Sequence, residues 1–395
     1  MSEDVVILSA VRTAIGGFGG ALKDFAPSRL GAIVIAEAVA RAGIEPGEIE
    51  HVFMGQVIPT CAQDAYLARV AALEADIPTA APALTLNRLC GSGIQAIISA
   101  AQTLKLGEAE LAVAGGAECM SRAPHLVSAA RFGQKMGAIE MVDALAATLS
   151  DPRDGYHMGV TAENIASLNR ISRADQDAIA LESQRRAAAA IAEGRFEDQI
   201  VPVEIATRKG VTRFDTDEHV RADTTAEGLA ALRPAFQKDG TVTAGNASGV
   251  NDGAAAVVLS TASAAASRGL TPRARILGWG HAGVDPDVMG LGPIKAVPIA
   301  LARAGMTLDQ MDLIESNEAF AAQACAVARE LGFDPAKTNV NGSGISLGHP
   351  VGATGTILIV KLLHELERRE ARFGLATMCI GGGQGIAMVI ERIAA

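Results

Sequence analysis

Two distant stretches of this chain run through the same order of signals, and that repetition limits the fold more than any single segment does. In the first, the short apolar run Val52-Phe53-Met54 is followed by the loop Gly91-Ser92-Gly93. A helical stretch comes next, then a second apolar run, Leu111-Ala112-Val113-Ala114, closed by Gly115-Gly116. In the second, Met311-Asp312-Leu313-Ile314-Glu315 leads to Gly342-Ser343-Gly344 and a helical stretch at 353–369. It ends in Leu375-Ala376-Thr377-Met378 and the run Gly381-Gly382-Gly383. The strand starts lie 59 residues apart in the first copy and 62 in the second. Short apolar runs alternating with helical stretches of this length are the pattern of layered α/β domains. Matching order and spacing predict a duplicated half, with an insertion in the first copy.

Other segments fit this plan. Val5-Val6-Ile7-Leu8, residues 254–259 and residues 274–278 read as buried strands, and 29–43, 93–106 and 318–331 as helices. From about 119 to 249 charges and turns are frequent, and a helix at 173–193 stands among irregular stretches. The expectation is therefore an α/β protein with largely parallel sheets. Residues 1–118 and 250–270 form an N-terminal half, 119–249 a loop domain capping the core, and 271–395 a C-terminal half.

Hydrophobic residues make up 49% of the chain but aromatics only 3%, so the core must be built from Ala, Val, Ile and Leu packed closely around 42 glycines. A formal charge of −10 argues against a general nucleic-acid surface, and the few aromatics against base-stacking platforms. The five cysteines, Cys61, Cys90, Cys119, Cys325 and Cys379, form no Cys-x-x-Cys pair, so neither a zinc site nor a disulfide framework is indicated. A reducing, cytoplasmic location fits. The start, Met1-Ser2-Glu3-Asp4, lacks the basic region of a signal peptide, and no apolar run reaches the roughly 18 residues of a membrane span.

Four glycine-rich segments carry candidate chemistry. Cys90, in Asn87-Arg88-Leu89-Cys90-Gly91-Ser92-Gly93, precedes a helix whose free N–H groups and dipole favour a thiolate, and the flanking glycines leave the sulfur accessible. The others hold Asn317 (Glu315-Ser316-Asn317-Glu318-Ala319-Phe320), His349 (Gly348-His349-Pro350-Val351-Gly352-Ala353-Thr354-Gly355) and Cys379 (Met378-Cys379-Ile380-Gly381). Each lies at a strand end or helix start, where open α/β sheets place ligands. Taken singly, each has a plainer reading that outweighs the functional one: His349 as a loop histidine, Cys379 as a core residue and Asn317 as a turn former or N-cap. Gly381, Gly383 and Gly385 lack the spacing of a dinucleotide fingerprint.

Together and in this order the four segments resemble those of the thiolases, acyltransferases that make or break a 3-ketoacyl-CoA thioester. The resemblance covers essentially the whole chain, including Tyr156-His157-Met158-Gly159 and Gly245-Asn246-Ala247-Ser248-Gly249. It implies the thiolase fold, two duplicated halves layered α-β-α-β-α. It also implies Cys90 as acyl-accepting nucleophile, His349 as its base, and Cys379 as a second acid/base tuned toward neutrality. The backbone N–H groups of Cys90 and Gly381 would form one oxyanion hole, and His349 with a water held by Asn317 the other. Arg221 is implied near the CoA nucleotide and Ser248 on the pantetheine amides. The resemblance also implies Leu149 and Phe236 beside the pantetheine arm, His157, Ala319 and Phe320 in the same substrate site, and Met158 and Met289 as the bounds of a short acyl pocket. Basic residues cluster at Arg208, Lys209, Arg213, Arg221, Arg233 and Lys238, as an adenosine phosphate requires. Gly228 departs from a serine that touches adenine in related enzymes.

His157-Met158 resembles the biosynthetic, acetoacetyl-CoA type. The implied reaction is condensation of two acetyl-CoA to acetoacetyl-CoA and CoA, reversible, through an acyl-cysteine and with no metal or redox cofactor. A broader thiolase taking five- or six-carbon ketoacyl groups is the alternative. Further off stand a ketoacyl synthase and a non-catalytic acyl-CoA-binding module. The loop from Cys119-Met120-Ser121-Arg122-Ala123-Pro124-His125 to about 141 resembles the one that joins thiolase dimers, which implies a homotetramer.

Overall fold

The computed structural model describes residues 3–208 and 210–394. In chain order its core elements are β1 (Val5–Thr13), α1 (Pro27–Arg41), β2 (His51–Gly55), α2 (Leu67–Glu74), β3 (Ala83–Leu86), α3 (Ser92–Lys105) and β4 (Leu111–Cys119). After these come α4 (Met158–Leu168), α5 (Arg173–Ala192), β5 (Asn251–Thr261), β6 (Ala274–Gly283), α6 (Gly292–Ala304) and β7 (Leu313–Ser316). The chain closes with α7 (Ala321–Leu331), α8 (Val351–Arg368), β8 (Phe373–Ile380) and β9 (Gln384–Arg392). The main strands run in the spatial order β7-β8-β9-β6-β1-β5-β4-β2-β3. β1 meets β6 over a short seam, Val5–Ile7 against 274–276.

The repetition expected from the sequence is visible as topology. From the seam outward the first half runs β1-β5-β4-β2 and the second β6-β9-β8-β7, with matching strand directions. Where β3 pairs beyond β2, an isolated bridge from Ile314 to Thr338 takes the corresponding place beyond β7. Strand alternation builds the layers. Val257 and Met388 face a central core with Ile97 of α3 and Leu358 of α8. Their neighbours point the other way: Val258 packs on Val34 and Ile35 of α1, and Val389 on Val297 of α6 and Val327 of α7. The result is helix, sheet, helix, sheet, helix.

Three expectations need correction. The sheets are mixed: β2–β3, β2–β4 and β7–β8 pair in parallel, as does β1 with the short strand Ile200–Val201, while along the main strand order β5, β1, β6 and β9 pair antiparallel with their neighbours. Gly115-Gly116 does not end a strand, because β4 continues to Cys119. A Cβ on Gly116 would lie 2.1 Å from the Gly352 carbonyl oxygen, so this glycine lets β4 touch the start of α8. Gly381–Gly383 is the turn of a hairpin whose second arm, β9, was not anticipated. Gly382 and Gly383 have φ of 77° and 86°, which side-chain-bearing residues rarely adopt.

Candidate active site

Cys90 closes a tight turn just before α3. Leu89 has φ of 47°, a left-handed conformation that costs a residue with a Cβ about 1–2 kcal/mol. Side chains on either side hold it. The Leu89 N–H donates to Asn87 Oδ1 at 2.8 Å, and Ser92 Oγ donates to the Leu89 carbonyl at 2.6 Å while accepting from the Arg88 N–H at 2.9 Å. The flanking glycines serve packing, not access: a Cβ on Gly91 would strike Ile380 at 2.5 Å, and one on Gly93 the Thr356 nitrogen at 2.4 Å. The expectation of a stabilised thiolate also fails. Burial pushes the Cys90 thiol up, against the pull of the N–H groups of Gly381 and of Cys90 itself. The Gly91 and Ser92 N–H groups are engaged by the carbonyls of Arg88 and Leu89. At rest Cys90 is a thiol, and the two N–H groups at its sulfur are the pair expected to form an oxyanion hole.

His349 is buried between that turn and the start of α8. Its tautomer follows from its partners. The Thr354 hydroxyl donates to the Pro350 carbonyl at 2.9 Å, so it must accept from His349 Nδ1, 2.7 Å away. Nε2 is thus left with a free lone pair, and the Asn317 amide nitrogen approaches it at 3.4 Å. Burial lowers the His349 pKa to about 4, so the ring is neutral near pH 7 and can take a proton. The Asn317 amide oxygen is fully buried and has no hydrogen-bond partner among the described residues, which suits a held water. The backbone N–H of His349 donates to Asn251 Oδ1 at 2.9 Å, fixing the loop.

Cys379 lies at the end of β8, buried in a cluster with Met158, Met289, Ala319 and Phe320. Burial pushes its thiol up, and Cys90 adds to the shift, which sets the two sulfurs near one another. Tuning toward neutrality is therefore not what the fold provides. A cavity of about 360 Å³ opens over these groups. Cys90, His349 and Gly381 are on its wall, as are Leu149, His157, Met158, Phe236, Ser248, Met289, Ala319 and Phe320. Asn317 and Cys379 stand behind the wall. His157 stacks on Phe236 with ring centres 4.7 Å apart, and Phe236 meets Phe320 edge-on at 6.0 Å. The Gly159 N–H donates to His157 Nδ1 at 3.0 Å, which caps α4 and sets Met158 at its first position.

Arg221 is away from the cavity, in two adjoining hollows. One, of about 470 Å³, reaches the cavity at Val250; the other, of about 310 Å³, reaches it at Ala244 and contains Gly228. Of the other basic residues, Arg213 pairs with Asp215 at 2.8 Å, Arg208, Arg233 and Lys238 are exposed, and Lys209 lies outside the described residues. Sequence reasoning missed Thr354, Asn251 and Glu118, and the walls Val57, Met120 and Val351. Thr354 carried a signal, a hydroxyl one helical turn after Pro350; Glu118 carried none. Among the described residues no group of His, Cys, Asp or Glu is arranged to hold a metal ion, and no helix is long and apolar enough to cross a membrane.

Comparison with known proteins agrees with this geometry. Residues 5–263 match the thiolase N-terminal domain and residues 270–392 the thiolase C-terminal domain. The chain is 60% identical over 394 residues to the beta-ketothiolase BktB of Cupriavidus necator, covering 100% of both. It is 51% identical to an acetyl-CoA acetyltransferase of Pseudomonas aeruginosa, over 99% of this chain and 100% of that one. Among solved structures, the acetyl-CoA acetyltransferase of Bacillus anthracis superposes with a TM-score of 0.97 at 48% identity, covering 99% of each chain. A human mitochondrial 3-ketoacyl-CoA thiolase in complex with CoA superposes with a TM-score of 0.96 at 45% identity, covering 99% of this chain and 98% of that one. With both thiolase domains matched over nearly the whole chain and full-length relatives at 60% and 51% identity, the chain belongs to the thiolase family and is an acyltransferase.

Proposed function

We propose that the enzyme is an acetyl-CoA C-acetyltransferase, joining two acetyl-CoA into acetoacetyl-CoA and CoA, and running the reverse cleavage on the same groups. The observation that carries the reading is that Cys90, His349, Met158 and Met289 line one cavity, with Cys379 buried behind it in the cluster that holds both methionines.

In the cleavage direction each proton has a place. Cys90 Sγ attacks the 3-keto carbon as its proton passes to His349 Nε2, and the new oxyanion faces the N–H groups of Cys90 and Gly381. The bond between the second and third carbons breaks. The acetyl-CoA carbanion takes the proton of Cys379, whose raised pKa keeps it a thiol until then. Its enolate oxygen faces His349 and the water on Asn317. Free CoA then gives its thiol proton to Cys379, and its sulfur attacks the acyl-Cys90. Cys90 leaves as a thiolate and recovers its proton from His349. CoA thioesters are the only substrates this scheme requires, with no metal or redox cofactor. Arg221 lies where the nucleotide of CoA would enter, and Leu149, His157, Phe236, Ser248, Ala319 and Phe320 line the arm's path.

A second reading, a thiolase accepting five- and six-carbon ketoacyl groups, is favoured by the similarity to the beta-ketothiolase and by flexible walls of Met120, Met158 and Met289. Parallel assays of CoA-dependent loss of acetoacetyl-CoA and 3-ketohexanoyl-CoA, with Cys90→Ala as control, separate the two. Consumption of acetoacetyl-CoA alone supports the first, comparable turnover the second, and no turnover of either removes both. A homotetramer is the proposed assembly. The loop between the short strands His125–Leu126 and Val142–Asp143 exposes Phe132 (91%) and Met136 (86%), an apolar tip suited to a second dimer. A cytoplasmic location fits five free cysteines, two of them carrying the reaction.

A further inference from the structure

Glu118 is fully buried next to the active site, and the mechanism above gives it no part. It is on β4, two residues beyond the glycine that lets that strand touch α8. Its carboxylate accepts three backbone N–H groups from two separate segments. Val57 donates to Oε2 at 2.9 Å and Ile58 to Oε1 at 3.1 Å, while Gly352, in the first turn of α8, donates to Oε2 at 2.9 Å. A Cβ on Gly352 would lie 2.5 Å from that same oxygen, so the contact requires glycine on the helix side. Both bridged segments reach the cavity. Val57 and Val351 line it with Cys90 and His349, and the two valines pack in one cluster with Cys90.

We propose that Glu118 is a positioning residue for acyl transfer: its carboxylate ties the Val57–Ile58 turn to the start of α8 and so fixes the gap in which Cys90 and His349 meet the acyl group. This rests on the thiolase reading. Burial pushes the Glu118 carboxyl up to about 8, against the pull of the three N–H donors, with Asp64 of the neighbouring turn adding to the rise. Cys90, before α3, is the other titratable group that interacts with it. Asp252, on β5, shares the opposite face of the sheet with Cys119. Among the described residues no Lys or Arg forms a salt bridge with Glu118. Above its pKa the carboxylate accepts all three N–H groups; below it, one oxygen bears a proton that faces those donors. The clamp therefore tightens as pH rises through about 8.

The test compares cleavage of acetoacetyl-CoA by wild type and Glu118→Gln from pH 6.5 to 9.5. Taking the ratio of kcat values cancels ionisations common to both enzymes, CoA included. The expected ratio grows through pH 8 to about tenfold, the loss of one charge-assisted hydrogen bond, with an unchanged KM for CoA. A ratio that stays at one, one that is flat with pH, or a change confined to the KM for CoA would overturn the proposal. If Glu118→Gln does not fold, Glu118→Asp keeps a titrating carboxylate with a shorter reach. Its kcat should fall while the step near pH 8 persists, and wild-type kcat would overturn the proposal equally. Absence of turnover by the wild type would instead refute the thiolase reading.

Discussion

Replacing Thr354 with valine removes one hydroxyl and leaves the shape of the pocket wall nearly unchanged. In the native enzyme that hydroxyl accepts the Nδ1 proton of His349 at 2.7 Å and donates to the Pro350 carbonyl at 2.9 Å. Without it the buried Nδ1–H has no acceptor, at a cost of about 1–3 kcal/mol. The proton then favours Nε2, the nitrogen that must be bare to receive the proton of Cys90. With about 1.4 kcal/mol per tenfold, the base-competent tautomer drops by roughly 5- to 150-fold. The rate of Cys90 alkylation by iodoacetamide near neutral pH and the kcat/KM for acetoacetyl-CoA cleavage should both fall by such a factor. Thr354→Ser, which keeps the hydroxyl, should restore most of both. Because Cys90 is a thiol at rest, alkylation depends on His349 and reports the tautomer directly. Wild-type rates in Thr354→Val, or equal losses in the serine and valine variants, would refute the assigned tautomer.

Other outcomes follow from the same geometry. Cys379→Ala should still acylate Cys90 but lose carbon–carbon bond formation and cleavage, read as an acyl-enzyme by mass spectrometry with no 3-ketoacyl turnover. Gly116→Ala drives a Cβ into the Gly352 carbonyl at 2.1 Å and should cost about 1–3 kcal/mol or more, seen as a lowered Tm; an unchanged melt would show that β4 and α8 can part freely. Burial lowers His349, and His364 on α8 against the Ala10 carbonyl of β1, to about 4 from an ordinary value of 6.5, so the unfolded chain binds more protons between those values. Their contribution to stability is present above 6.5 and is lost as pH falls toward 4. His364→Gln should reduce that slope by about one proton, about 1.4 kcal/mol per pH unit, measured by denaturant midpoints. Phe132→Asp with Met136→Asp should turn a tetramer into dimers in sedimentation without loss of activity.

Much of the fold could be read from short apolar runs, because a strand buried on both faces needs little else. The runs at Val5, Val52, Leu111, Leu313 and Leu375 all became strands of the central sheet. Reading failed where glycine has two meanings. Gly115-Gly116 looked like a terminator but marks a strand pressed against a helix, and Gly381–Gly383 hid the hairpin arm that follows. Strand direction was also misjudged, since apolar runs do not distinguish parallel from antiparallel partners. In the site, Cys90, His349, Cys379 and Asn317 were legible because their four segments occur together and in order. Their protonation was not. A helix start favours a thiolate locally, but desolvation depends on what the rest of the chain places around the sulfur, and here it dominates. Glu118 binds backbone N–H groups of segments distant in sequence, which side-chain identity does not show, whereas Thr354 carried only the spacing of a hydroxyl one helical turn after Pro350.

The most direct measurement is peptide mass spectrometry after mixing the enzyme with acetyl-CoA and no second acceptor, followed by rapid acid quench. An acetyl group on the peptide bearing Cys90, removed by added CoA and absent from Cys90→Ala, is the result expected. Acetylation of Cys379 in its place, or no acetyl-enzyme while 3-ketoacyl-CoA turns over, would contradict Cys90 as the nucleophile.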